Sequence, residues 1–292
     1  MAQEIIDGRK IAAEIREELK QRVLKLKDKG VTPGLAAILL GEDPGSLSYL
    51  RSIAKGCEAV GMLTETVKLQ ENISQENLEA EIIKLNHNPK FHGIILQLPL
   101  PKHLDTIRAE STISPEKDVD GTNPVSTGKL LLGEDTFLPS TPRGVQELLI
   151  RSGHSPEGKH VVICGRSNIV GKPLMGILIQ KKEGANATIT VCHTGTKNLA
   201  SITRQADIIV AAMGKAGIIT ADMVREGATV VDVGVNQIQD PVSGKFRLVG
   251  DVDFDAVKEK AGAITPVPGG TGPVTSAILL ANTVWAAEKV TI

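Results

Sequence analysis

The run Val161-Val-Ile-Cys-Gly165-Arg-Ser-Asn-Ile-Val-Gly171-Lys-Pro173 limits what this chain can fold into more than any other stretch. Its apolar residues up to Cys164 read as a buried parallel strand. Gly165 breaks that strand, and Gly171-Lys-Pro-Leu-Met-Gly-Ile-Leu-Ile follows with helical spacing. A strand that turns through glycine into a helix aims free N–H groups and the positive helix end at one point, where an anion is stabilised. The pattern is Gly-Arg-Ser-x-x-Val-Gly-x-Pro rather than G-x-G-x-x-G. By itself it leaves open both a phosphate-binding corner and an ordinary strand–turn–helix of an α/β domain.

At 292 residues the chain has room for two domains. Its net charge of −1 offers no electrostatic footprint for nucleic acid or an acidic membrane surface. Aromatic residues, 2% of the chain, are too few for a base-stacking platform. The amino terminus is charged where a signal peptide would be apolar, and no apolar run approaches the roughly 18 residues of a membrane span. The expectation is a cytoplasmic enzyme with neither nucleic-acid nor membrane partners. Cys57, Cys164 and Cys192 share no metal-like spacing and read as small buried hydrophobes. The histidines form no ligand cluster, so no protein-bound metal is expected.

From the start, Ile11, Ile15, Leu19 and Val23 mark an amphipathic helix ending at Lys29-Gly30. Strands are expected at 34–41, 65–69 and 93–97, with helices over 44–61 and 75–86 between them. This alternation argues for a parallel sheet, whose ligands collect at the carboxyl ends of its strands. Gln97-Leu98-Pro99-Leu-Pro101 lies at such an end; Gln97 is either a ligand-facing amide or one that satisfies local backbone. On the 44–61 helix, Ser48, Arg51, Ser52 and Lys55 form a polar stripe, and Leu50, Ala54 and Cys57 the core stripe. Tyr49, the only tyrosine, shares another face with Ile53 and Val60; it can belong to a site or simply snorkel at a domain edge.

The turn-rich loop Ser114-Pro-Glu-Lys-Asp118-Val-Asp120-Gly-Thr-Asn-Pro124 offers two carboxylates, for Asx-turn chemistry or for a ligand. Pro139-Ser-Thr-Pro-Arg-Gly144 punctuates the chain before a helix over 145–151, and a domain boundary is expected there. Further strands are expected at 187–192, 206–212 and 229–233. The strand at 187–192 ends in Cys-His193-Thr194-Gly-Thr-Lys, with no acidic residue to take a ribose 2′-hydroxyl. With Arg166 nearby, this tilts the reading towards NADP, although NAD stays possible. Gly214 and Gly234 at later strand ends let a flat cofactor approach the backbone. Prolines at 266, 268 and 273 with glycines at 269, 270 and 272 exclude regular structure, and an apolar helix is expected over 274–287, packing back on the first domain.

Together these segments resemble the bifunctional methylenetetrahydrofolate dehydrogenase/cyclohydrolase family. The matching runs are Ser46-x-x-Tyr49, Gln97-Leu-Pro-Leu-Pro, Lys117-Asp-Val-Asp120-Gly, Thr141-Pro-x-Gly144, Gly165-Arg-Ser-x-x-Val-Gly-x-Pro173, Asp232-Val-Gly-Val-Asn236 and Pro266-Val-Pro-Gly-Gly-x-Gly-Pro273. They keep the family's order over nearly the whole chain. The resemblance implies two α/β domains: a folate-cleft domain over 1–140 plus 271–292 and a Rossmann-type NAD(P)-binding domain over 141–270. It also implies a homodimer joined through the Rossmann domains. Carried over by position, Tyr49 stacks on folate, Gln97 with Leu98 and Pro99 lies near the reacting centre, and Asp120 holds the pterin. Pro268, Gly269, Gly270 and Gly272 close over the substrate; Gly165, Arg166, Ser167, Thr194, Gly214 and Val235 hold the dinucleotide.

One position departs. The family's Tyr-x-x-x-Lys-x-Lys reads Tyr49-Leu-Arg-Ser-Ile53-Ala-Lys55 here. Lys55 is a poor substitute, being rotated about 240° from Tyr49 around a helix against about 40° for position 53. Thr271 also fills the variable place of Pro-Gly-Gly-x-Gly. Hydride transfer from a methylene-folate needs two flat rings positioned, since the folate nitrogens stabilise the cation that forms. Hydrolysis of the methenyl product needs protons moved, and a positioned acid–base group contributes ~10²–10⁴-fold. The expectation is therefore a dehydrogenase with weak or absent cyclohydrolase activity.

Overall fold

The computed structural model describes residues 4–239, 244 and 246–291. Met1–Gln3 of the charged amino terminus fall outside this range. In chain order the elements are β1 (Glu4–Ile5), α1 (Gly8–Asp28), β2 (Gly34–Leu40), α2 (Pro44–Val60), β3 (Leu63–Leu69), α3 (Gln75–His87) and β4 (Gly93–Leu96). Then come α4 (Thr106–Thr112), α5 (Pro124–Leu132), α6 (Ser140–Arg151), β5 (His160–Cys164), α7 (Gly171–Leu178), β6 (Thr188–Cys192), α8 (Leu199–Thr203) and β7 (Ile208–Ala211). The chain closes with β8 (Thr229–Asp232), β9 (Asn236–Gln239), β10 (Phe246–Val249), α9 (Phe254–Val257), β11 (Ala263–Ile264) and α10 (Thr271–Lys289). Among the described residues no helix is long and apolar enough to cross a membrane.

The chain divides into two compact units: one of residues up to Ala12 with Thr141–Thr275, the other of Ala13–Ser140 with the chain from Ser276 onward. In the second unit three parallel strands lie in the order β3-β2-β4. The central strand, Gly34-Leu-Ala-Ala-Ile-Leu-Leu40, is buried almost throughout, as a strand covered on both faces must be. One core gathers Ala36, Ile38, Leu78, Ile82, Leu85, Phe91, Ile94 and Leu96. Helix α2 starts where Asp43 accepts the Ser46 N–H at 2.7 Å and Pro44 occupies the first turn; it stops at Gly61, in the left-handed conformation (φ 82°).

The other unit is built on a six-stranded parallel sheet, β1-β11-β8-β7-β5-β6. Val162, Cys164, Ile209, Ala211, Val230 and Ile264 place its apolar core on that sheet. All three cysteines are buried, and burial raises the thiols of Cys57 and Cys164 to about 12, so they pack as inert hydrophobes.

Three expectations change. The amino terminus does not stay with the first domain: Glu4 and Ile5 pair with Ala263 and Ile264, because an edge strand in a parallel sheet can come from anywhere in the chain. Helix α6 begins at Ser140, not 145, since Pro142 within a first turn forfeits no helical hydrogen bond. Helix α10 likewise begins at Thr271, so Gly272 and Pro273 are helical rather than loop, and Thr271–Thr275 count with the six-stranded unit. The Asp118 loop feeds a helix, α5, capped by the Asn123 side chain on the Val125 N–H at 2.7 Å, which the apolar pattern alone did not announce.

Candidate functional site: strand ends of two parallel sheets

In the six-stranded unit every dinucleotide candidate follows the carboxyl end of a strand. Cys164 is in register with Cys192 and with Ala211, and Ala211 with Asp232, so the turns begin at Gly165, His193, Ala212 and Val233. Backbone bonds lock their starts: Gly165 N–H to the Cys192 carbonyl, Ala212 N–H to that of Cys164 and Val233 N–H to that of Ala211, each 2.8 Å. The chain leaves β5 through α7 to β6 on one side, then crosses back to β7 on the other. Beside β5 the sheet therefore has the switch point at which ligands collect.

The Gly165 turn has the chemistry of an anion site. A Cβ on Gly165 (φ 146°) would run into the Ala212 carbonyl, and one on Gly171 into the Gly165 carbonyl, so both glycines are required by close backbone approach. The N–H groups of Arg166, Ser167, Asn168 and Ile169 have no hydrogen-bond partner among the described residues. Helix α7 has no side-chain cap, and the Ser167 hydroxyl takes the Val170 N–H at 3.1 Å. Arg166 is exposed with no partner among the described residues. At the end of β6, His193 N–H donates to the Thr196 hydroxyl (2.9 Å) and Gly195 N–H to His193 Nδ1 (3.0 Å), which leaves Thr194 exposed and brings in no carboxylate. These groups fit an NADP pyrophosphate and 2′-phosphate.

The other turns are closed differently. Gly214 (φ 67°) sits in a turn whose amides are held by Asp251, while Val235 is exposed. Pro268 is exposed; Gly269 and Gly270 are buried, with the Gly270 N–H on the Pro266 carbonyl at 2.8 Å. Two threonines tie this segment to the end of β8: Asp232 N–H donates to the Thr265 hydroxyl (2.8 Å), and the Thr271 hydroxyl donates to the Asp232 carbonyl (2.7 Å). Thr271 at the variable place thus acts as a staple. Asp251 escaped sequence reading; its only signal was an acid after glycine at the end of a short strand.

In the three-stranded unit, Gln97 leaves β4 with its N–H on the Ile38 carbonyl and its side-chain amide N–H on the Leu98 carbonyl, both 2.9 Å. Backbone satisfaction thus takes one amide N–H, and Oε1 accepts no hydrogen bond among the described residues. Leu98 and Pro99 follow, joined by a cis peptide. The two carboxylates of the turn-rich loop divide their roles. Asp118 is fully buried and accepts the Thr122 N–H at 3.0 Å and the Asn123 N–H at 2.9 Å, which is the turn role. Asp120 lies against Ser140 and close enough to Tyr49 for its charge to act on the phenol.

Burial raises Asp118 and Asp120 to about 6, with hydrogen bonds opposing the rise in both cases. Burial, then the charges of Asp118 and Asp120, raise Glu110 to about 7. The Tyr49 hydroxyl is pushed well above its ordinary value, first by burial and then by Asp120. No basic group figures among the causes acting on these four. Lys117, in the same loop, gives its ammonium to the carbonyls of Leu85 (3.2 Å) and Asn88 (2.8 Å). The result is a set of acids poised near neutrality beside a phenol that keeps its proton, suited to a ligand that becomes cationic.

The expected faces of α2 need correction. Leu50, Ile53, Cys57 and Val60 form its buried stripe, with Ala54 only half-buried. Ile53 is 1% exposed against 39% for Tyr49, so the two do not present one common face. An alkyl side chain at this position gains free energy by joining the core.

Known proteins resemble the chain along its full length. A bifunctional protein FolD of Dehalococcoides mccartyi is 57% identical over 99% of this chain and 98% of its own. The crystal structure of the bifunctional FolD methylenetetrahydrofolate dehydrogenase/cyclohydrolase of Campylobacter jejuni superposes with a TM-score of 0.93 at 47% identity, covering 98% and 99% of the two chains. That of the Trypanosoma brucei dehydrogenase-cyclohydrolase, complexed with NADP cofactor and inhibitor, gives 0.92 at 41% identity, covering 99% of each. Residues 6–120 match the catalytic domain and residues 139–291 the NAD(P)-binding domain of one and the same family. The chain belongs to the tetrahydrofolate dehydrogenase/cyclohydrolase family.

Proposed function

We propose that this chain oxidises 5,10-methylenetetrahydrofolate to 5,10-methenyltetrahydrofolate with NADP, and hydrolyses the methenyl product to 10-formyltetrahydrofolate only weakly. The observation that carries the first half is the Gly165 turn, where consecutive amides and an Arg166 guanidinium with no partner among the described residues meet at a switch point in a family of folate dehydrogenases. NADP, when bound, supplies the hydride acceptor. Gly165, Arg166 and Ser167 bind its phosphates, Thr194 lies by the ribose, and Gly214 and Val235 let its flat parts approach the backbone. Tyr49 stacks on the folate, Gln97 offers Oε1 near the reacting carbon, and Asp120 holds the pterin. Leu98 and Pro99 shield the reacting carbon from water. The positive charge that develops on the folate is favoured by a carboxylate set with no ammonium acting on it.

The weakness of the second step is read from Ile53, a side chain with no donor or acceptor and almost no exposure. A second reading, both activities in full, has support from the relatives' name, bifunctional protein FolD, and from Asp120 beside Tyr49 as another proton carrier. Paired assays on the purified protein decide. NADPH should form with methylenetetrahydrofolate, while added methenyltetrahydrofolate should decay little faster than in buffer. Brisk enzymatic decay sinks the weak-cyclohydrolase reading; absence of NADPH sinks the dehydrogenase. By family resemblance we also propose a homodimer through the NAD(P)-binding domains, which sedimentation tests.

A further inference from the structure

Two turns at the same edge of the six-stranded sheet treat their amides in opposite ways. After β5 the N–H groups of residues 166–169 have no partner among the described residues. After β7 three consecutive N–H groups, of Met213, Gly214 and Lys215, all donate to one carboxylate, that of Asp251, at 2.5, 2.8 and 2.9 Å. Successive amides that converge in a turn form an anion-binding nest. Here the protein supplies the anion itself. The Asn236 side chain adds a fourth donor at 2.8 Å, so each Asp251 oxygen accepts two hydrogen bonds. Asp251 is completely buried.

A second carboxylate holds the first. Asp232, at the end of β8, accepts the N–H groups of Gly234, Asp251 and Val252 at 2.9, 3.0 and 2.9 Å. A Cβ on Gly234 would collide with the Asp251 carboxylate, and one on Gly250 with that of Asp232. Both glycines are there to let the carboxylates in.

The strand order gives this network a place on the cofactor. The pyrophosphate belongs at the β5 turn and the adenosine ribose at the end of β6, on one side of β5. The other half of the dinucleotide must then run over the ends of β7 and β8, on the opposite side. We propose that Asp251 is the positioning residue for the nicotinamide half of NADP. It fixes the Met213–Lys215 turn through three amides, and by filling the nest it denies that end of the site to phosphate. The cofactor is thereby oriented: charge is recognised after β5 and shape after β7. The inference rests on the proposed use of NADP.

Calorimetric titration of NADP into the full-length protein, without folate, tests it. In Asp251→Asn the amide would place its own N–H groups against the donors of the nest, and the NADP Kd should rise at least tenfold. Asp251→Ala should behave alike and be partly restored by formate, a carboxylate small enough to refill the nest; a merely structural loss would not respond to formate. Asn236→Leu keeps carboxylate and amides and should raise Kd less than threefold. Unchanged NADP binding in both Asp251 variants overturns the proposal, as does an Asn236→Leu defect as large as theirs. Should the variants fail to fold, amide hydrogen exchange on the wild type replaces them: Gly214 and Lys215 must be protected before NADP is added, and fast exchange there overturns the proposal. A wild type that binds no NADP at all refutes the cofactor reading instead, so the two failures are distinguishable.

Discussion

The strand ends of the two sheets are electrostatic opposites. In the six-stranded unit the Gly165 turn carries N–H groups and an arginine without partners among the described residues, a place suited to an anion. In the three-stranded unit Asp118 and Asp120 of one loop act on Glu110 of α4, and Asp120 on a half-exposed tyrosine, with no base among the groups that perturb them. One parallel α/β unit thus carries a turn that attracts phosphate, and the other an acidic set that favours positive charge. The difference arises because backbone amides are freed by glycine geometry, whereas carboxylates must be carried in by side chains and kept there despite burial. It also matches what each partner of a hydride transfer needs, since one arrives as a polyanion and the other leaves as a cation.

The largest effect should come from closing the anion end. Gly165→Ala drives a methyl group against the Ala212 carbonyl and displaces the turn; a misplacement of about 1 Å costs about 10²-fold, so NADP-dependent kcat/KM should fall at least that far. If Gly165→Ala keeps wild-type kcat/KM, the turn is not the phosphate site. Placing a cation at the acidic end comes next. Ile53→Lys should raise methenyltetrahydrofolate hydrolysis by ~10²-fold or more while hydride transfer persists; no gain would show that position 53 does not limit the second step.

A smaller change sharpens the cofactor side. Arg166→Ala removes a charge-assisted hydrogen bond to phosphate, worth about 1.5–3 kcal/mol, and should raise the KM for NADP roughly tenfold or more while that for NAD hardly moves. Equal loss with both cofactors would mean that Arg166 lies along the adenosine without meeting a 2′-phosphate.

The mildest test is pH. Asp118 and Asp120, at about 6, and Glu110, at about 7, hold protons more tightly folded than unfolded. Between the unfolded values near 4 and these folded values the native state binds more protons, so stability falls as pH rises through that window. Lowering the pH from 7.5 to 5.5 should therefore raise the unfolding midpoint of a fragment-free, full-length sample by several degrees, at about 2–4 °C per kcal/mol. Asp120→Asn should flatten the slope; an unfolding midpoint that rises with pH instead would show that these acids are ionised and paired in the native protein.

Legibility in the sequence followed the range of the interactions involved. Strand β5, the Gly165 turn and α7 were readable because apolar runs, glycine punctuation and helical spacing are local signals. Asp251 was not, since its partners at 213–215 and 236 lie on other segments. Tyr49 and Ile53 show the same limit within one helix. Spacing put them on one face, but which face is buried depends on what the rest of the unit packs against α2, and the core took Ile53. Likewise the proline- and glycine-rich run at 266–273 looked irregular throughout, yet Thr271 opens a helix because its hydroxyl finds the Asp232 carbonyl.

The sequence by itself determined the α/β alternation, the glycine corner at Gly165 and Gly171, the family, and the presence of isoleucine at position 53, all matters of residue type and near-neighbour spacing. Tertiary structure decided which unit takes the Glu4–Ile5 strand, that Asp118 serves the turn while Asp120 stands beside Tyr49, and that the amides after β7 are filled while those after β5 stay open. The physical reason is that a donor or a charge is defined by its partner, and in a parallel sheet the partner comes from a strand far away along the chain.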